Sequence, residues 1–247
     1  AGAVEKAMKY LTENCKSGRF GSTQSTILAL KAIIAYDKAR AVPLNPGKLQ
    51  VVVDGRELPM IEFDKSITGA VKLQNIAEYL TPGTHKIGVK MAGGSTMPYT
   101  VTVNYNTTLP ISSPECKLDL KVALSHGETK EGEGMEAMVT VTNRGSEKVS
   151  MPVAIIGLPG GLEPRHDQLK ELVKSGRIDA YEIMGSRELV LYWRGMNAKQ
   201  VMEIPLSLIA AVPGIYTGPA SRAYLYYTDE HKTWVEGVKI EITPAIK

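Results

Sequence analysis

The residues able to do chemistry in this chain are few and scattered. Its four histidines, His85, His126, His166 and His231, share no ligand spacing such as His-x-x-x-His. The two cysteines, Cys15 and Cys116, lie in neither a Cys-x-x-Cys pair nor a Cys/His cluster, so the thiols offer no metal site. A disulfide between them stays open, because its strict geometry cannot be read from sequence. No Gly-x-Ser-x-Gly stretch supplies a nucleophile elbow. Gly157, Gly160 and Gly161 do not make a phosphate-cradling loop. Asp229-Glu230-His231 has the residue types for acid/base or ligand work. Flanked by Tyr226-Tyr227 and Trp234, it reads more simply as the polar tip of a hairpin. Asn106-Thr107-Thr108 is a glycosylation sequon by pattern.

One charged stretch has a helical spacing. Lys170 and Lys174 fall four residues apart, and Arg177 joins the same face if the helix runs on, with Asp167 and Glu171 each three residues before a lysine. The plain reading is a solvated face with Asp167–Lys170 and Glu171–Lys174 pairs, each worth about 0.2–0.5 kcal/mol. Tyrosines outnumber phenylalanines 11 to 2. Tyr224, Tyr226 and Tyr227 read as a strand with one buried face rather than a base-stacking platform, since no basic groove accompanies them. Trp193 and Trp234 read as core anchors.

The elements that must position these residues change character along the chain. Ala3, Ala7 and Leu11, with Val4 and Met8 beside them, lay an apolar stripe on a first helix. Gly18 and Gly21 mark a turn, and Ser22 and Thr23 are candidate caps for a second helix from Gln24 to about Arg40. That helix is apolar on most sides, through Ile27, Leu28, Leu30, Ile33 and Ile34, as buried helices are. Two helices cannot bury it, so the pair is expected to be the last hairpin of a larger helical domain lying in front. From Lys48 the period becomes alternating. Leu49, Val51 and Val53 run into Asp54-Gly55, a strong hairpin signal, and Leu58–Phe63 is the expected return strand. His85 to Met91 and Tyr99 to Tyr105 alternate likewise, which predicts a small antiparallel β-domain with one wet face. Leu109 to Pro114 has the composition of a linker. Beyond it, strands are predicted at 118–124, 135–141, 149–155, 178–183, 188–193, 201–209, 223–227 and 233–242, with a short helix near 166–174. Many short strands with regular turns suggest a β-sandwich.

The bulk numbers agree with a folded, partly β chain. In 247 residues, 43% are hydrophobic and 22% charged, an ordinary globular composition, and the length allows one to three domains. The net charge of +3 is too small to predict nucleic-acid or membrane-surface binding. No apolar run reaches the ~20 residues a bilayer span needs. No signal-peptide pattern opens the chain.

Three stretches carry a family likeness. GRFGSTQSTILALKAI, Gly18 to Ile33, resembles the closing helix pair of the thioester domain in alpha-2-macroglobulins and complement components. LEPRHDQLKELVKSGRIDAYEI, Leu162 to Ile183, resembles the helix-bearing crossover of that family's receptor-binding domain. SRAYLYYTDEHKTWVEGVKIEI, Ser221 to Ile242, resembles that domain's final hairpin. The middle β-region fits the family's CUB-like module, the order of parts matches, and the last two stretches are closest in wording to bacterial members.

The resemblance implies a mainly β fold in three parts. Residues 1–44 would be the last helices of a thioester-type α/α-toroid, 45–112 a CUB-like β-domain, and 113–247 a receptor-binding-type β-sandwich with one short helix. It implies the carboxy-terminal region of a secreted, cell-surface or periplasmic protease inhibitor, with target proteases and the upstream domains of the same protein as partners. No cofactor, metal, nucleic acid, membrane span or catalysis is expected. Cys15 is followed by Lys-Ser-Gly and Cys116 by Lys-Leu-Asp, so the family's Cys-x-Glu-Gln thioester would lie upstream. In animal members lysines on the matching helix contact a receptor, which carries over to Lys170 and Lys174 as partner-binding residues. The competing expectations are a β-sandwich adhesion or binding module of a bacterial surface protein and, third, a cyclase remnant at the helical end. Residues 1–44 are expected to be the least stable part, because the second helix exposes apolar sides that a toroid should cover.

Overall fold

A computed structural model describes residues 2–15, 19–40, 45–67, 70–95, 99 and 101–245. The chain is mainly β, with several antiparallel sheets and few helices. By contacts it divides into two compact units, residues 1–29 with 105–247, and residues 30–104.

Helix α1 spans Gly2–Glu13 and α2 spans Thr23–Arg40. Ser22 caps α2 as the sequence anticipates: its hydroxyl accepts the Ser25 N–H at 3.2 Å, satisfying one otherwise orphaned donor. Its carbonyl accepts the Thr26 N–H at 2.9 Å. Ile27, Leu28, Leu30 and Ile34 are all exposed.

In residues 30–104, strands β1 (Gly47–Val53), β2 (Arg56–Glu57), β3 (Ile61–Phe63) and β4 (Ile87–Gly93) form one antiparallel sheet. β1 lies between β4 on one side and β2 and β3 on the other. Asp54 and Gly55 take φ of 50° and 85°, the paired positive values of a type I′ turn, and Val53 faces Arg56 across it. Of the return strand expected over Leu58–Phe63 only β3 forms, and residues 58–60 carry no strand. Leu49, Val51, Val53, Leu58 and Phe63 are buried. Gly47 is held to glycine because an added Cβ would sit 2.6 Å from the Phe63 ring and 2.9 Å from the Gly94 nitrogen.

The strand expected from Tyr99 to Tyr105 does not form: residues 101–107 carry no strand, and Tyr99, Val101, Val103 and Tyr105 are exposed. The reason is physical. Alternation decides which way side chains point, but a strand exists only through hydrogen bonds to a neighbour, and among the described residues none is paired with it.

The larger unit adds β5 (Leu118–Leu124), β6 (Glu128–Lys130), β7 (Gly134–Asn143), β8 (Val149–Ser150), β9 (Pro152–Gly157), β10 (Leu162–Pro164) and α3 (His166–Lys174). After them come β11 (Ala180–Met184), β12 (Glu188–Tyr192), β13 (Gly195–Met196), β14 (Val201–Ala210), β15 (Gly214–Thr217), β16 (Ser221–Leu225), β17 (Thr233–Val235) and β18 (Lys239–Thr243). One sheet runs β10-β14-β7-β5 and another β11-β12-β9-β16-β17. Their facing sides share one core that includes Leu120, Val139, Ile156, Leu191, Leu206 and Leu208. That is the sandwich the regular turns predicted.

Several details refine the expectation. The strand predicted over 149–155 is broken between β8 and β9 at Met151, whose φ is 52°. β9 is buried along its whole length. Ala154 and Ile156 enter the main core, while Val153 and Ile155 join Val190, Tyr192 and Tyr224 on the opposite face. Trp193 is a core residue and donates its indole N–H to the Arg177 carbonyl at 2.8 Å. Trp234 corrects the sequence reading: it is only half-buried, outside the main core, with the Arg222 guanidinium 5.3 Å from its ring centroid. β16 ends at Leu225, so Tyr226 and Tyr227 lie in a turn rather than a strand, both exposed.

Candidate functional site

Helix α3 is built to present charge from a fixed platform. Leu169 and Leu172 are buried, and Val173 packs against the same core. Asp167 stands in the first turn and Lys174 in the last, each matched to the helix dipole at its end. Gly176, with φ of 71°, lets the chain turn at the C-terminus, where Ser175 N–H returns to the Glu171 carbonyl at 2.8 Å. Gln168 fastens the helix to β14 by donating to the Pro205 carbonyl at 2.6 Å, and the Arg165 N–H reaches the Ser207 carbonyl at 3.0 Å.

Lys170 and Lys174 therefore project into solvent one turn apart. Lys170 stands 3.8 Å from Asp167, the pair expected at i,i+3. Glu171 and Lys174, expected to pair in the same way, do not come within ion-pair distance. Arg177 leaves the face altogether. The helix stops at Lys174, and the Arg177 guanidinium donates to the Glu203 carbonyl at 2.5 Å. The exposed cationic face is thus two lysines, not three cations.

The second polar cluster lies at the hairpin tip. His231 has Nδ1 3.0 Å from the Ser113 hydroxyl and Nε2 3.0 Å from Glu115 Oε2, with Glu230 3.8 Å away. Sequence reading missed this association, because Ser113 belongs to a segment with linker composition and Glu115 directly follows it. The Ser113 N–H also donates to the Lys232 carbonyl at 2.8 Å, and the Ser112 hydroxyl accepts the Trp234 N–H at 2.8 Å. The segment is thereby zipped along the open edge of β17. Ser113 Oγ already accepts the Glu115 N–H at 3.3 Å. These groups serve as a clasp that ties the segment to the hairpin. Nearby, Arg222 grips Glu188 with contacts of 2.5 and 3.3 Å, and the Lys232 ammonium stands 4.9 Å over the Tyr224 ring. Burial pushes the Tyr224 phenol above its ordinary pKa.

His85 forms the matching clasp in residues 30–104. Its Nδ1 meets Asp54 Oδ2 at 2.7 Å and its Nε2 meets the Thr81 carbonyl at 2.6 Å. Asp54 Oδ1 accepts the Lys86 N–H at 2.7 Å. That backbone bond, then the His85 bond, holds the Asp54 carboxyl below its usual range. The Asp54 bond, then the Thr81 bond, raises the His85 pKa. His126 meets the Ser125 hydroxyl at 2.9 Å, and His166 opens α3. Among the described residues no His, Cys, Asp and Glu grouping could hold a metal ion. Both cysteines are free, Cys15 exposed and Cys116 buried, and burial raises the Cys116 thiol pKa. No helix among the described residues is long and apolar enough to cross a membrane.

The fold and these sites define a class: a mainly β chain whose larger unit is a helix-bearing β-sandwich. Comparison with solved structures takes this further. The chain is similar to a segment of a mutant alpha-2-macroglobulin from Salmonella, with a TM-score of 0.50 and 15% identity over 92% of this chain and 15% of that one. It is similar also to Salmonella alpha-2-macroglobulin reacted with methylamine, at a TM-score of 0.49, 15% identity and the same shares of 92% and 15%. A third similarity is to native Escherichia coli alpha-2-macroglobulin from domain MG7 to the C-terminus, at 0.48 and 13% identity, covering 92% of this chain and 36% of that one. No known family profile matches the sequence. At such low identity the likeness is one of fold: the chain has the fold of a segment of a bacterial alpha-2-macroglobulin. It spans 15% of the length of the Salmonella protein.

Proposed function

We propose that this chain is the carboxy-terminal region of an alpha-2-macroglobulin-like protease inhibitor, acting as scaffold and interaction surface and doing no chemistry itself. The observation that carries the reading is the fold likeness to the Salmonella protein over 92% of the chain. On this reading residues 1–44 belong to a thioester-type helical domain, 45–112 to a CUB-like module and 113–247 to the receptor-binding-type sandwich. The exposed apolar side of α2 supports the first assignment, because an isolated helix gains nothing by carrying Ile27, Leu28, Leu30 and Ile34 outward. The protein would work outside the cytoplasm. Its partners would be target proteases, engaged through the full-length molecule, and its own upstream domains.

Within this reading Lys170 and Lys174 are the partner contact. Their support is geometric: both lie on the exposed side of a helix whose other side is fixed in the core. The test is hydrogen exchange on the full-length protein before and after limited treatment with a protease. The expected result is a change in protection over the sandwich, α3 included, once the protease has cut. Unchanged exchange across the sandwich, with cleavage confirmed elsewhere, would overturn the reading.

A further inference from the structure

Both ring nitrogens of His85 face oxygens that only accept hydrogen bonds. Nδ1 lies 2.7 Å from the Asp54 carboxylate and Nε2 lies 2.6 Å from the Thr81 carbonyl. A neutral imidazole has one N–H and one lone pair, so it satisfies one such partner and not the other. Satisfying both takes two N–H donors, which only the imidazolium has. The ring has little room to turn away, since its side chain is 16% exposed. Asp54, from the turn after β1, is the charged group at the ring, and its other oxygen already accepts the Lys86 N–H at 2.7 Å. The Thr81 side offers a backbone carbonyl.

The bond to Thr81 holds down the stretch of chain that covers a small core. Val51, Val53 and Leu58 are buried there, and Leu73, Ile76, Tyr79 and Leu80 pack against them. The cover is partly folded on itself: the Tyr79 N–H donates to the Ile76 carbonyl at 3.0 Å and the Leu80 N–H to the Ala77 carbonyl at 3.1 Å. The Arg56 guanidinium stands 4.9 Å from the Tyr79 ring centroid, and Glu78 hydrogen-bonds the Tyr79 phenol. Among the described residues, His85 to Thr81 is the one hydrogen bond that joins residues 71–81 to the rest of the unit.

We propose that His85 is a pH-operated latch: with both ring nitrogens protonated it ties the cover to the sheet at Thr81, and on losing the Nε2 proton it lets the cover go. The departing proton passes to solvent. The Nδ1 proton stays, because the other tautomer would turn a lone pair toward the Asp54 carboxylate. The Nε2 lone pair then faces the Thr81 oxygen, and two acceptors do not hold at 2.6 Å. The bonds to Asp54 and then Thr81 raise the His85 pKa. The latch is therefore closed below the unfolded value of about 6.5 and opens as pH rises through the higher folded one. Open, it loosens the cover over Val51, Val53 and Leu58. The latch is independent of the macroglobulin reading.

The experiment is hydrogen exchange on the unaltered chain, corrected for intrinsic rates, on both sides of the His85 titration followed by nuclear magnetic resonance. Protection of the Tyr79 and Leu80 amides should fall on the order of tenfold as the ring loses its proton. The Leu58 amide, which donates to the Val51 carbonyl at 2.9 Å, should keep its protection. Equal protection of Tyr79 and Leu80 on both sides would overturn the latch. In His85→Gln the step should vanish, and its persistence would assign it to another group and overturn the proposal. Should that variant fail to fold, Asp54→Asn decides: the step should move to lower pH together with the ring titration, and a step that stays behind would overturn the latch.

Discussion

The same signal, an apolar residue at every second position, ends differently in the two units. In the sandwich, β7 runs between β14 and β5 and turns Met135, Ala137, Val139 and Val141 into a core that the opposite sheet closes. In residues 30–104, β4 pairs with β1 and, among the described residues, with no other strand, and Val89 and Met91 stay exposed. Alternation sorts side chains into faces in both places. What converts a face into stability is a second layer, because hydrophobic gain scales with area taken from water. The largest expected contrast follows directly. Leu206, fully buried in β14, should cost about 2–5 kcal/mol when changed to Ala. Val89→Ala in β4 should stay within about 0.5 kcal/mol, as surface changes do. Denaturant unfolding read at the buried Trp193 measures the first, and hydrogen exchange in β1 and β4 the second. Equal costs would erase the contrast.

A smaller effect probes how the sandwich closes its loops. Asn143 ends β7 fully buried. Its amide nitrogen donates to the Glu147 and Asn197 carbonyls, each at 2.8 Å, and its oxygen accepts the Gly145 N–H at 2.9 Å. Removing it strands buried backbone groups, so Asn143→Ala should cost about 1–3 kcal/mol. Asn143→Asp, which keeps the shape but cannot donate, should fall in the same range. Thermal unfolding of both variants checks this; a neutral Asp variant would mean that shape, not hydrogen bonding, holds the loop.

Much of this architecture was legible from short-range chemistry. The Asp54-Gly55 turn needs two positive φ values, which few residue pairs supply, so its hairpin could be read off directly. Ser22 as helix cap and the short helix over 166–174 were equally local. What escaped were relations between distant residues. Nothing in Leu109–Pro114 announces that Ser112 and Ser113 zip to β17, more than a hundred residues on, and so the role of His231 stayed hidden. Trp234 was misplaced because size suggests burial, whereas the pleat of β17 sends its ring to the outer face. Arg177 left the α3 face for a related reason: three-residue spacing holds only while a helix lasts. The candidate site was thus legible as a helix carrying Lys170 and Lys174, and illegible in which charges would find partners.

The clasp in residues 30–104 gives that unit a pH signature the sandwich need not share. The His85 pKa is raised in the fold, so its contribution is fully present below the unfolded value of about 6.5 and fades as pH rises through the higher folded one. The Asp54 pKa is lowered, so its contribution is complete above the unfolded value of about 3.9 and is lost as pH falls through the lower folded one. Both are in force between those two unfolded values. Nuclear magnetic resonance titration should place the His85 ring above 6.5 or so, and Asp54→Asn should bring it back toward that reference. A His85 titration unmoved by Asp54→Asn would show that the 2.7 Å contact does not govern it.

The smallest expected effect on stability separates surface from scaffold. Lys170 and Lys174 are exposed, and the Asp167–Lys170 contact of 3.8 Å is of the kind worth at most a few tenths of a kcal/mol, roughly. Charge reversal at both, Lys170→Glu with Lys174→Glu, should therefore leave thermal unfolding within about 0.5 kcal/mol of the parent. If this face is the partner contact, the same variant should lose association with that partner, most strongly at low salt, where charge steers encounter. A control at Leu169→Ala inverts the pattern, destabilising the sandwich by about 2–5 kcal/mol without touching the exposed charge. Because the buried and exposed sides of one nine-residue helix are compared, loss of binding with intact stability can be assigned to the lysines. Unaltered binding in the double variant would leave α3 a structural crossover whose solvated side has no partner.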